Sequence, residues 1–274
     1  MSETGEKLNR VTEASNIYSE NIRPNDVVVV VGPSSSLLHD ATLLFVSHLV
    51  RDGTIYVADP ITRSDPRSYD EMEKAIGGKV TGIGDVSHYL SELNALKNAG
   101  MRLSDPKWLG PESAAQKIPL PDNFADLIVD HNTSVFLAGL PDETNVAERK
   151  RILQAIYSEY HRVLKPLGKV LLQTSNVRYQ FDGGLTSVGL LERVLAANRF
   201  SVIKQKVEDV VKIPIEGKFY DAIFENDDYK SALARGRELL WFLNKRLKVE
   251  DGQNVLEITN TDHKSDDFYV ATKT

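Results

Sequence analysis

Asp26-Val27-Val28-Val29-Val30-Val31-Gly32-Pro33-Ser34-Ser35-Ser36 decides the fold. Five β-branched residues in a row carry no polar alternation. The strand they form is therefore covered on both faces, the mark of a parallel sheet. Gly32 to Ser36 turns the chain, and a helix follows with Leu37, Ala41, Leu44, Phe45 and His48 on one stripe. A serine ahead of that helix can cap its first turn. Arg51-Asp52-Gly53 ends it, and Thr54-Ile55-Tyr56-Val57-Ala58 is a second strand closed by Asp59-Pro60. Strand, turn, helix and strand in this order predict a right-handed parallel crossover. The ligand crevice of such a sheet opens beyond the carboxyl ends of its strands, here at the turn after Val31.

Outward from this unit the alternation continues. Leu8 to Asn21 reads as a helix leading into the domain. A helix is predicted from about Val86 to Ala99, with Leu90, Leu93 and Leu96 inward and Gly100 as its stop. Lys107 to Gly110 reads as a short strand and Ala125 to Val129 as a strand ending at Asp130. A long helix spans about Asn145 to Leu164, with Ile152, Ile156 and Val163 inward. Lys165-Pro166-Leu167-Gly168 turns it into the strand Lys169 to Thr174. A helix over Ser187 to Asn198 leads to the strand Phe200 to Gln205. Phe268 to Ala271 closes the chain as a last strand, antiparallel and at or near the edge. The whole of 1–274 reads as one doubly wound α/β domain: a mostly parallel, seven-stranded, Rossmann-like sheet with helices on both faces. Insertions fall near 60–85 and 212–249, the second with a helix around Tyr229 to Leu247 that packs on the domain or lids its crevice.

Bulk properties bound the function. Net charge is 33 − 39 = −6, with no basic excess to suggest a nucleic-acid partner. There are no cysteines, which removes disulfides, thiolate metal sites and a cysteine nucleophile. Met1 to Arg10 is polar, and no apolar run approaches a membrane span. A soluble, cytoplasmic protein is expected. The six histidines show no pairing at ligand spacing, so no metal site is predicted. Arg149-Lys150-Arg151 and Lys245-Arg246 read as solvated helix faces, and His161 as structural.

The first turn joins a buried strand to a helix start, a general cradle for anions and nucleotides. A dinucleotide fingerprint needs three spaced glycines, and here Ser34 and Ser36 stand at the second and third. An NAD or nucleotide-sugar site is therefore disfavoured. Asp59 ends the second strand. A carboxylate there can accept hydrogen bonds from both ribose hydroxyls. An ordinary Asp-Pro turn is the competing reading.

Two runs carry a family resemblance. Lys117-Ile118-Pro119-Leu120-Pro121-Asp122-Asn123-Phe124-Ala125-Asp126-Leu127-Ile128-Val129 leads into the fourth strand. Glu159-Tyr160-His161-Arg162-Val163-Leu164-Lys165-Pro166-Leu167-Gly168-Lys169-Val170-Leu171-Leu172 turns into the fifth. Together with the Gly32 turn and Asp59, in this order, they resemble the class I S-adenosylmethionine-dependent methyltransferases of the type 11-like group, from about Val27 to Thr174. The terminal strand suits the reversed seventh strand of that fold.

The resemblance implies S-adenosylmethionine as cofactor. Gly32, Pro33, Ser34 and Ser35 would lie against its methionine part and Asp59 would hold the ribose. Ser113, Ala114 and Ala115 stand where the family has Gly-Asp-Ala against adenine. Asp130, His131 and Asn132 follow the fourth strand, beside the methyl group. Three departures stand against the family pattern: Val30 replaces an acid, Ser34 and Ser36 replace glycines, and Ala114 replaces the adenine-binding Asp.

Methyl transfer asks mainly for positioning and water exclusion, with a base only where the acceptor must lose a proton. His131 is the candidate base; a turn histidine bonded to local backbone is the alternative. Tyr179, Phe181, Phe219 and Tyr220 fall in regions that cap the crevice in this fold, where they shape an acceptor pocket or simply pack. Two functions remain open. One is methyl transfer to a small or medium-sized acceptor. The other is a non-catalytic, methyltransferase-like protein that works by binding a ligand or a protein partner.

Overall fold

The computed structural model describes residues 12–32, 42–59, 93–94, 96–97, 101–109, 113–139, 146–174, 190–208, 210–215, 247–250, 253–259 and 266–274. In chain order they form β1 (Thr12–Glu13), α1 (Ala14–Asn21), β2 (Val27–Val31), α2 (Thr42–Leu49), β3 (Thr54–Ala58) and β4 (Pro106–Trp108). Then come β5 (Ala125–His131), α3 (Thr133–Gly139), α4 (Val146–Val163), β6 (Leu164–Thr174), α5 (Leu190–Ala197) and β7 (Phe200–Glu208). β8 (Val210–Ile215), β9 (Leu247–Glu250), β10 (Gln253–Thr259) and β11 (Asp266–Lys273) complete the set.

Eight strands make one sheet in the order β1-β7-β11-β6-β5-β2-β3-β4. Every pairing in it is parallel except the two made by β11. The α/β fold and the reversed last strand are as expected. That strand lies near the edge, between β6 and β7, with β7 and the two-residue β1 outside it. Phe268 to Ala271 is buried on both faces, as an interior strand must be.

Helices cover both faces. Val28, Val30, Leu127, Val129, Leu171, Phe268 and Val270 face α1 and α2, where Tyr18 sets its ring edge-on to Phe45 and Phe268. Val29, Val31, Ile128, Val170 and Leu172 face the other side, against Leu153, Ile156, Tyr157 and Tyr160 of α4 and Val194 and Leu195 of α5. A separate three-stranded antiparallel sheet, β8-β10-β9, was not foreseen. It packs Val211, Ile213, Leu256 and Ile258 against the α1 and α2 side of the core. Pro214 sits in β8, an edge strand of that sheet, where a missing N–H is tolerated. The span expected as the second insertion therefore begins and ends in strand. Its helix lies outside the described residues except for Leu247, which opens β9, and all of 60–85 lies outside them too. No described helix is long and apolar enough to cross a membrane.

The two motif runs prove to be one clamp. The Arg162 guanidinium donates to the carbonyls of Ile118 (2.8 Å) and Leu120 (2.9 Å) and pairs with Asp122 (2.7 Å) and Glu159 (2.7 Å). Lys273 Nζ, on β11, donates to Asn123 Oδ1, to the carbonyl of His161 in the last turn of α4 and to that of Leu164, which opens β6. Charged donors on carbonyls left over at a helix end are the favourable geometry. Arg149 corrects an expectation. It is only 1% exposed on α4, while Lys150 and Arg151 are solvated as predicted.

Candidate functional site

The site is built by register. Val31 of β2 pairs with Ala58 of β3 on one side and Asp130 of β5 on the other. The next residue along each strand is Asp59, Gly32 and His131, so these three form one row across the carboxyl rim. Adjacent strands lie about 4.8 Å apart, which sets Asp59 and His131 about 10 Å apart with Gly32 between them. From β2 the chain proceeds to β3 on one side, and from β5 to β6 on the other. The gap between β2 and β5 is thus the topological switch point, where ligands of open α/β sheets bind.

Gly32 has φ 53°, in the left-handed region, and its amide donates to Ala58 O at 2.9 Å. A Cβ there would come within 2.6 Å of Thr133 Oγ1 and Cγ2. The Thr133 hydroxyl lies 2.9 Å from Val31 O and 3.1 Å from Gly32 O, so the start of α3 is stitched to the tip of β2. Only glycine satisfies both the backbone and the close approach. Pro33, Ser34 and Ser35 lie outside the described residues, as do Ser36, His39, Tyr179, Phe181, Phe219 and Tyr220.

Asp59 is half-buried at the tip of β3, and its carbonyl accepts from the Ser113 hydroxyl at 3.4 Å. That contact brings the 113–115 turn to the same rim. Ala114 has both backbone groups committed, its N–H to Lys117 O and its carbonyl to Lys117 N–H, each at 2.9 Å. It offers a ligand only its methyl group. Ala115 is buried among Val29, Val31, Ala58 and Ile118.

Asp130 and His131 face opposite sides of β5, as strand alternation requires. Asp130 is fully buried on the α4 side. Its carboxylate accepts from the Thr133 N–H (2.9 Å), the Ser134 N–H (3.2 Å) and the Tyr160 hydroxyl (2.9 Å). Burial raises its pKa, against hydrogen bonds from Ser134 and Tyr160 that lower it. Burial, and then the charge of Asp130, pushes Tyr157 and Tyr160 well above the usual phenol range. The carboxylate expected beside a ligand is turned into protein, where it fastens α3 and α4 to β5. α3 itself was not predicted. Its signal was Asp130-His131-Asn132-Thr133-Ser134, an acid placed to hold the first free amides of a helix.

His131 faces α1 and α2, half-buried, with Nδ1 2.9 Å from the hydroxyl of Thr42, the first residue of α2. Asn132 follows at φ 63°, which Asn tolerates, and its amide donates to Gln173 O at 2.9 Å. Gln173 of β6 is the cross-strand partner of His131. Its side chain donates to Asp266 Oδ2 at 2.9 Å and accepts from the Tyr18 hydroxyl at 3.3 Å. All three of these polar residues are buried. They extend the row beyond His131 and escaped the sequence reading. The signal for them was a glutamine inside the apolar run Val170-Leu171-Leu172-Gln173.

No protein-family model matches the chain, and no curated protein matches it. Solved structures do resemble it. The YcgJ protein from Bacillus subtilis is 14% identical, over 94% of this chain and 97% of that one, with a TM-score of 0.47. A SAM-dependent methyltransferase from Methanosarcina mazei is 12% identical, over 95% and 98%, with a TM-score of 0.45. A SAM-dependent methyltransferase from Aquifex aeolicus is 15% identical, over 96% and 89%, with a TM-score of 0.45.

Proposed function

We propose that the rim of β2, β3 and β5 binds S-adenosylmethionine and that the protein transfers its methyl group to a small or medium-sized acceptor. The observation that carries this reading is the row Asp59, Gly32, His131 at the switch point of a sheet whose last strand is reversed and inserted beside β6. The ribose end of the cofactor fits the groups present. Asp59 stands at the tip of the second crossover strand, where two carboxylate oxygens match a vicinal diol. The adenine end fits less fully, because Ala114 brings no carboxylate and has its backbone groups spent on Lys117. The segment 33–41 would take the methionine part.

When bound, the cofactor supplies a methyl group already activated on a sulfonium. The protein's own tasks are then few. Asp59 orients the ribose at one end of the row. Gly32 permits close approach at its centre. His131 takes the proton of an O–H or N–H acceptor at the other end. Asp130 acts behind them by holding α3, and with it Thr133, against β2. A protein acting in the cytoplasm on a soluble acceptor fits this reading.

Calorimetric titration with S-adenosylmethionine and S-adenosylhomocysteine tests it. Binding of both is expected, weakened at least tenfold in Asp59→Ala, the loss of a charge-assisted contact of about 1.5–3 kcal/mol. No heat at ligand concentrations on the order of 1 mM contradicts the enzyme reading and favours the non-catalytic one. Binding unchanged in Asp59→Ala contradicts the placement of the ribose.

A further inference from the structure

We propose that Thr133 is a positioning residue for the rim. Its hydroxyl fixes the two peptides that flank Gly32 at the centre of the row, and so presents a set backbone to the cofactor. The consequence for the cofactor rests on the proposed S-adenosylmethionine site; the fixing of Gly32 does not.

The direction of each hydrogen bond is settled by its groups. A carbonyl only accepts, so the Thr133 hydroxyl donates toward Val31 O at 2.9 Å and Gly32 O at 3.1 Å, with His131 O at the margin at 3.5 Å. One hydrogen is shared between the two nearer carbonyls, and these belong to the peptides on either side of the Gly32 Cα. The Val31–Gly32 peptide is held a second time, by the Gly32 N–H donating to Ala58 O at 2.9 Å. The Gly32–Pro33 peptide differs. Proline brings no N–H, so the carbonyl is the one group through which that peptide takes a hydrogen bond. Thr133 is its donor.

Thr133 is itself held. Its N–H donates to Asp130 Oδ1 at 2.9 Å, and Asp130 is fully buried. One chain of contacts thus runs from β5 through the start of α3 to β2 and on to β3, along the row from His131 to Asp59. The Thr133 methyl adds a steric stop, since a Cβ on Gly32 would lie 2.6 Å from Cγ2. Gly32 keeps φ 53° inside this grip. Glycine leaves such a conformation at little cost, so the restraint has to come from outside it, and the hydroxyl supplies it. A ligand that reaches from Asp59 toward His131 passes Gly32. A backbone already fixed there spares binding the cost of ordering it.

Amide hydrogen exchange at Gly32, followed by NMR on the full chain without ligand, tests the grip. This N–H shares its peptide with the Val31 carbonyl and reports local opening of the rim. Wild type, Thr133→Ser and Thr133→Val are compared, with far-UV circular dichroism to confirm folding. Val194→Ala serves as control, because it truncates a buried side chain on α5 and lowers global stability away from β2. Thr133→Val keeps the shape and loses the donor, and should speed exchange at Gly32 about fivefold, the effect of one net hydrogen bond. Thr133→Ser and Val194→Ala should match wild type. A Thr133→Val rate equal to wild type overturns the proposal. So does a Thr133→Ser rate equal to that of Thr133→Val, or an equal acceleration in Val194→Ala. Should Thr133→Val not fold, Thr133→Ala takes its place, since it differs from Thr133→Ser by the hydroxyl alone. Titration of the same proteins with S-adenosylhomocysteine decides the rest. Kd should rise about fivefold in Thr133→Val and stay unchanged in the other two. An unchanged Kd beside faster exchange overturns the consequence for the cofactor. A wild type that does not bind contradicts the site itself, while the exchange rates still decide whether Thr133 fixes Gly32.

Discussion

Leu167 holds a left-handed backbone, φ 64°, with its side chain 76% exposed. It stands in the Pro166-Leu167-Gly168 kink. A side chain at such a φ costs about 1–2 kcal/mol, and glycine removes that strain while giving back roughly half of it as chain entropy. Leu167→Gly should therefore stabilise the fold by about 1 kcal/mol and raise its thermal midpoint by about 2–4 °C. Leu167→Ala keeps the strain and should not. Differential scanning calorimetry of the two variants separates them. Gly32 is the opposite case, a left-handed position that kept its glycine because Thr133 fills the space of a side chain. One of these positions sits at the rim and the other in a distant turn.

At the scale of elements, the joint between α4, β6, β11 and the Pro121 to Phe124 turn contains a histidine that ties stability to pH. His161 sits there with its ring edge-on to Phe200, 5.7 Å between centroids. Burial, and then the charges of Lys273 and Arg199, hold its pKa below the ordinary 6.5. The unfolded chain therefore binds the proton more readily than the folded one. Stability is full above the unfolded pKa and is lost as pH falls below about 6.5 toward the depressed folded value. Urea unfolding at stepped pH should show this loss, and His161→Phe should flatten it. An identical slope in the variant would contradict the assignment.

Much of this joint was legible in advance. Glu159 to Leu172 and Lys117 to Val129 were read as helix-to-strand and turn-to-strand runs, and α4 runs over Val146–Val163 against a predicted 145–164. What escaped was long-range. No periodicity tells that Arg162 reaches back to Ile118, or that β11 inserts between β6 and β7. The unbroken apolar run Phe268 to Ala271 did hint at an interior strand, because an edge strand would show alternation. The sheet of β8, β9 and β10 escaped for two reasons: the local pairing of β9 with β10, Glu250 opposite Gln253 on either side of Asp251-Gly252, carried a hairpin signal that went unused, while β8 pairs with β10 from far back in the sequence and carries a proline.

For the whole molecule, the rim is where these features meet. Val27–Val31 identified the switch-point strand from composition alone, and Asp59 and His131 were placed by following the strands that flank it. Register then brought both into one row with Gly32. Alternation sends Asp130 to the opposite face from His131, where an unforeseen helix and Tyr160 take its carboxylate. Tyr18, Gln173 and Asp266 escaped because a buried polar chain forms only once α1, β6 and β11 are assembled.

The most direct test is a crystal structure of the protein with S-adenosylhomocysteine. The ribose hydroxyls should lie within about 3 Å of the Asp59 carboxylate. The sulfur should lie over the gap between β2 and β5, on the Gly32 side of His131. A ligand bound away from this row, or a bare rim at saturating ligand, would contradict the account.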